Sequence, residues 1–76
     1  MADILAQITE IEVNADGDIP QGFLYASIKN IGGNTATING VQLPSGEAKD
    51  YPFVGKGYQA VAYQVNTSSL RILYVM

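Results

Sequence analysis

Asn39-Gly40 lies within the run Thr35 to Leu43, where apolar and polar residues alternate. Asn-Gly is the favoured centre of a two-residue type I′ hairpin, because both central residues need positive φ. The register follows. Ile38 opposes Val41, Thr37 opposes Gln42 and Ala36 opposes Leu43. Ala36, Ile38, Val41 and Leu43 then share one face, and Thr37 and Gln42 share the other. That is the pattern of a half-buried hairpin.

The rest of the chain agrees with strands. Ile, Val and Thr number 18 of 76 residues, with five Tyr, an excess that suits pleated sheets. Eight Gly, five Asn and three Pro supply turns. Thr9, Ile11 and Val13 alternate with Glu10 and Glu12, which reads as a strand over 8–14 with acids on its solvent face. Phe23 to Lys29 reads as a second strand, with Phe23, Tyr25, Ser27 and Lys29 on one side and Leu24, Ala26 and Ile28 on the other. Ala48 to Val54 is extended, and Pro52, lacking an amide donor, makes it an edge or loop-like strand. The expectation is one all-β domain over 1–76, a small antiparallel β-sandwich or jelly-roll of six to seven short strands. Residues 1–7 form an N-terminal arm, and 3–7 are either a short helical turn or extended.

Tyr58 to Val65 and Leu70 to Met76 read as a final hairpin around Asn66-Thr67-Ser68-Ser69. Val65 would oppose Leu70, Tyr63 Ile72 and Val61 Tyr74, giving an apolar face. The reverse face carries Ala60 and Ala62 opposite Val75 and Leu73, and it too is largely apolar. A ladder apolar on both faces needs cover on both. Ala60, Ala62, Leu73 and Val75 are therefore the expected subunit interface, with the ladder buried centrally in a tight sandwich as the alternative. Size points toward self-association as well. A chain this short buries only about 60% of its unfolded surface, and small domains usually gain support from disulfides, metals or oligomerisation. With no Cys and no His, disulfides are excluded and a zinc site is not expected. Charged residues are 14%, against about 25% in an average soluble domain. That fits either a surface partly covered by neighbours or one of plain polar residues.

Candidate chemistry fails on spacing. Asn14-Ala15-Asp16-Gly17-Asp18 resembles part of a calcium loop, but the twelfth position, where a Glu is needed, is Tyr25. Gly55-Lys56-Gly57 lacks the earlier Gly and the following Ser or Thr of a phosphate loop. Glu10, Glu12 and Glu47 lack a cleft for glycoside chemistry, and no Ser has a His partner. No enzyme activity, cofactor or metal is expected. The net charge is −3 and the four cations, Lys29, Lys49, Lys56 and Arg71, are scattered, so no nucleic-acid partner is expected. Met1 to Leu5 carries Asp3 and no cation, which argues against a signal peptide. No apolar stretch is long enough for a spanning helix, so no membrane partner is expected. The lack of Cys fits a protein made and assembled in the cytoplasm. Tyr51 and Phe53, flanking Pro52 beside Lys56 and Tyr58, form the expected exposed binding loop, since aromatic platforms can stack on sugars.

The run from Asn30 to Glu47 also resembles segments of small accessory structural proteins of tailed bacteriophages and prophages. Their loose pattern is Asn-x-Gly, then Ala-Thr-Val-Asn-Gly-Val, then Leu-x-x-Gly-Glu. Here it reads Asn30-Ile31-Gly32, Ala36-Thr37-Ile38-Asn39-Gly40-Val41 and Leu43-Pro44-Ser45-Gly46-Glu47. The resemblance covers 28–75. It implies a small β-sandwich or jelly-roll, often trimeric, seated on a capsid or tail. The expected role is a virion-associated structural protein, partnered by copies of itself as a homotrimer and by a larger virion scaffold protein. Two other roles stay open: a receptor- or carbohydrate-binding module of a phage fibre, and a cellular adhesion-type domain.

Overall fold

The computed structural model describes residues 5–76. They form eight strands: β1 (Ile8–Val13), β2 (Gly17–Ile19), β3 (Tyr25–Asn30), β4 (Ala36–Ile38), β5 (Val41–Leu43), β6 (Ala48–Tyr51), β7 (Val61–Gln64) and β8 (Leu70–Val75). They make two four-stranded antiparallel sheets, ordered β1-β8-β3-β6 and β2-β7-β4-β5. The all-β sandwich expected from the sequence is the observed fold, with eight strands rather than six or seven. The added one is β2, within residues that read as turn. Every connection except β4–β5 crosses from one sheet to the other.

That exception is the hairpin at Asn39-Gly40. Its φ values are 51° and 78°, and the pairs are Ala36↔Leu43, Thr37↔Gln42 and Ile38↔Val41, as expected. Ala36, Ile38 and Leu43 are buried, but Val41 is 55% exposed. Ile38, beside the same turn, lies on β4 between β7 and β5, whereas Val41 lies on the edge strand β5.

The expected final hairpin is not formed. β7 pairs with β2 and β4, whereas β8 pairs with β1 and β3. The chain does reverse tightly: Asn66 and Thr67 have φ of 50° and 64°, and the Ser68 N–H donates to the Val65 carbonyl at 2.8 Å. A ladder cannot continue from there, because its end groups are engaged elsewhere. The Val65 N–H donates to the Asp16 carboxylate at 2.9 Å. The Ser69 carbonyl accepts from Ile31 and Gly32 at 3.0 and 3.2 Å. Val61, Tyr63 and Val65 therefore face Leu70 and Ile72 across the core instead of lying beside them.

The core joins those residues to Ile19, Phe23, Ala26, Ile28, Ala36, Ile38 and Leu43. Each large apolar side chain fully buried contributes about 1.5–3 kcal/mol. Phe23, expected on the same side of a strand as Tyr25, instead precedes that strand and is completely buried. It follows Gly22, whose φ of 100° turns the chain inward. Asn30, at the end of β3, is also 0% exposed. Its amide donates to the carbonyls of Asn34 (2.7 Å) and Leu43 (2.9 Å). Its carbonyl oxygen accepts from Gly32 N–H (3.1 Å) and Ser68 Oγ (2.7 Å). One side chain thus ties three loops together with every polar atom satisfied.

Of the expected N-terminal arm, residues 1–4 lie outside the described residues. Leu5, Ala6 and Gln7 have no regular structure, but Gln7 and Met76 exchange two backbone hydrogen bonds (3.4 and 3.0 Å). β6 lies at a sheet edge and ends at Tyr51, short of the expected Val54, because Pro52, which follows it, has no donor to extend the ladder.

Candidate functional site

The outer face of the β1-β8-β3-β6 sheet follows from its registers. Val75 lies between Ile8 and Tyr25, Leu73 between Glu10 and Ser27, and Arg71 between Glu12 and Lys29. Period-two alternation puts all nine on the solvent side, since Leu70 and Ile72 are buried. The face is graded. Ile8, Val75, Tyr25 and Leu73 make one end apolar, with Ile8 65% exposed. The other end is ionic: Arg71 donates from Nη2 and Nε to Glu12 Oε2 at 3.0 and 3.2 Å. Both side chains are 60% exposed, so that pair adds little stability. Between the two ends lies an open depression lined by Glu10, Tyr25, Ser27, Lys29 and Leu73. Such a surface can bury apolar area against a partner, at about 25 cal/mol per Å², while its charges set orientation.

Two of the four expected interface residues, Leu73 and Val75, belong to this face. Ala62 lies on β7 in the other sheet, opposite Asp18, and Ala60 precedes it. Both are exposed, but they form no patch with Leu73 and Val75, because the pairing that would have joined them does not exist. Ala60 instead lines a depression with Tyr51 and Tyr58. Ile8 completes the face in place of the alanines. The reading of 8–14 as a strand with Glu10 and Glu12 on its solvent face already puts Ile8 on that face by alternation.

The expected binding loop divides in two. Tyr51 and Tyr58 pack around Phe23: Tyr58 stacks on it at 4.8 Å with rings 9° apart, and Tyr51 meets both edge-on at 5.9 and 5.6 Å. Burial, and secondarily the neighbouring Tyr58, pushes the Tyr51 hydroxyl pKa up, and Lys49 Nζ lies 5.5 Å from the Tyr51 ring centroid. Tyr58 Oη donates to the Pro52 carbonyl at 2.6 Å, which closes the loop from beneath. Phe53 and Val54, 65% and 58% exposed, and the exposed Lys56 remain at its tip. Val54 was not anticipated, although an apolar pair between Pro52 and Gly55 is a readable signal.

Asp16, from the calcium-like segment, is used as the acceptor for Val65. Among the described residues no three His, Cys, Asp or Glu side chains gather in a group that could hold a metal. No protein-family model, curated protein or solved structure matches this chain.

Proposed function

We propose that this chain is a virion-associated structural protein, a capsid decoration or a component of a head or tail appendage, working by non-covalent docking and self-association. The observation that carries the reading is the graded outer face, where Ile8, Tyr25, Leu73 and Val75 align in register beside an ionic end. The sequence pattern of Asn30 to Glu47 supplies the viral part of the reading. A closed homotrimer covers the apolar end. On a repetitive particle surface, weak contacts to a larger scaffold protein add through multivalency. The protein is made in the bacterial cytoplasm and functions on the particle.

The test is light-scattering mass together with cofractionation with virus particles. The expected result is a trimer that travels with particles, and in Leu73→Glu a chain that still folds but is monomeric and absent from particles, with a melting temperature lowered by the lost association. A folded wild-type monomer at high micromolar concentration refutes self-association, and absence from particles refutes the virion role. The exposed Phe53 favours a second reading, a receptor- or carbohydrate-binding module of a phage fibre. Glycan binding lost in Phe53→Ala would establish that reading instead.

A further inference from the structure

β1 is the longest edge strand of either sheet among the described residues: six residues, against four in β6 and three each in β2 and β5. Edge strands are usually blunted by brevity, Pro, Lys or a bulge. β6 has Pro52 and Lys49; β1 contains neither residue type. The mutual bonds of Gln7 and Met76 set the phase of the β1–β8 ladder. Thr9, Ile11 and Val13 bond to β8, so the N–H and C=O groups of Ile8, Glu10 and Glu12 point to the open edge. The same three residues carry their side chains on the outer face. On the inner side Ile11 is still 40% exposed, since the facing sheet is built of shorter strands. The edge thus offers unpaired backbone groups and uncovered apolar surface together.

Charge decides the occupant. A second β1, paired antiparallel over its full length through these groups, sets Glu10 opposite Glu10 and Ile8 opposite Glu12. Like charges directly opposed disfavour that pairing. Glu12 already has Arg71 at 3.0 Å, whereas Glu10 faces Leu73 across the ladder. We propose that the β1 edge adds one extended strand of a different protein, carrying Lys or Arg opposite Glu10 and an apolar residue opposite Ile8. This rests on the docking role above and names the chemistry of the partner. Main-chain bonds supply affinity, and the alternate side chains supply selection.

The probe is a short acetylated peptide with Lys and Val two positions apart on one face, Thr-Lys-Thr-Val-Thr, titrated at low salt into the ¹⁵N-labelled full chain, with Thr-Glu-Thr-Val-Thr as control. The expected result is shifts and slowed exchange at the Ile8, Glu10 and Glu12 amides, with the Lys peptide at least about tenfold tighter. Glu10→Pro removes an N–H that serves no ladder bond, so it should fold and lose binding. Glu10→Lys should reverse the peptide preference, and it remains informative if the Pro variant does not fold. Equal binding of both peptides, shifts confined to other strands, or protection of these amides rising with protein concentration alone would overturn the proposal. Particle cofractionation separates the two readings: if wild type and Glu10→Pro travel equally with particles, docking stands and the edge fails. If neither travels, docking fails, and the peptide titration still decides the edge.

Discussion

Replacing Asn30 tests whether a single buried amide holds the loops of this sandwich in place. Asn30→Ala deletes four hydrogen bonds at once. Two of the abandoned partners are shielded: the Leu43 carbonyl lies in a buried bond, and Ser68 is 4% exposed. Each shielded group left unsatisfied costs about 1–3 kcal/mol, while Gly32 N–H and the Asn34 carbonyl, only partly buried, can turn to water. The expected loss is about 3–4 kcal/mol. A domain of this length has about 4–11 kcal/mol in total, so the melting temperature should fall by roughly 12–25 °C. Asn30→Asp is the sharper probe. Its shape is retained, but an ionised carboxylate faces two carbonyl oxygens without a donor. Burial raises its folded pKa above the unfolded value, so stability is present below about pH 4 and lost as pH rises through the folded value. Thermal melts of wild type and both variants at pH 4 and pH 7 decide. If both variants melt within about 2 °C of wild type at pH 7, the hub carries no such load and the reasoning fails.

Gly40→Val should destabilise by about 1–3 kcal/mol, read as a lower urea midpoint. A Cβ there meets nothing within 4 Å, so the whole cost is a β-branched residue at φ 78°; coincident curves would refute the turn. Stability should fall as pH rises above 10, read as a lower melting temperature. The Tyr51 and Tyr63 hydroxyls are held above their ordinary value of 10.0, both chiefly by burial, Tyr63 also by Asp18 and Tyr74. The folded state therefore keeps protons that the unfolded state releases, and stability falls as pH rises past 10.0. A melting temperature that does not fall from pH 9 to 12 would contradict this.

What was legible in the sequence was local. Asn39-Gly40 imposes its own turn and register, because the backbone demand is met by two adjacent residues. The alternation showed which side of β1 faces inward and which residues of β3 share a side. It did not show which strands are neighbours. Val61, Tyr63 and Val65 have the same spacing whether they lie beside Leu70 and Ile72 or face them across a core. Only the competing bonds to Asp16 and Ile31 decide, and these come from residues remote in sequence. β2 was hidden because Gly-Asp-Ile is too short to show a period. Asn30 looked like a turn residue, since nothing local distinguishes a solvated amide from a buried hub. The candidate face was half visible for the same reason: Ile8, Leu73 and Val75 each follow from alternation within their own strands, whereas their adjacency depends on the pairing of β1 with β8.

The passage of the chain between sheets at all but one connection governs how this protein can be made. Apart from the β4–β5 hairpin, neither sheet accumulates from consecutive strands. Almost all pairing is between distant segments, which places folding in the slow, millisecond-to-second range of β domains. β8 sits between β1 and β3, so during synthesis the first sheet lacks its central strand until this eighth strand leaves the ribosome. Until then β1 has two open edges and the buried face of β3 has no neighbour on that side. The growing chain is most prone to aggregate in that interval, and a mutation that slows the placement of β8 would reduce yield even where the finished fold is unharmed.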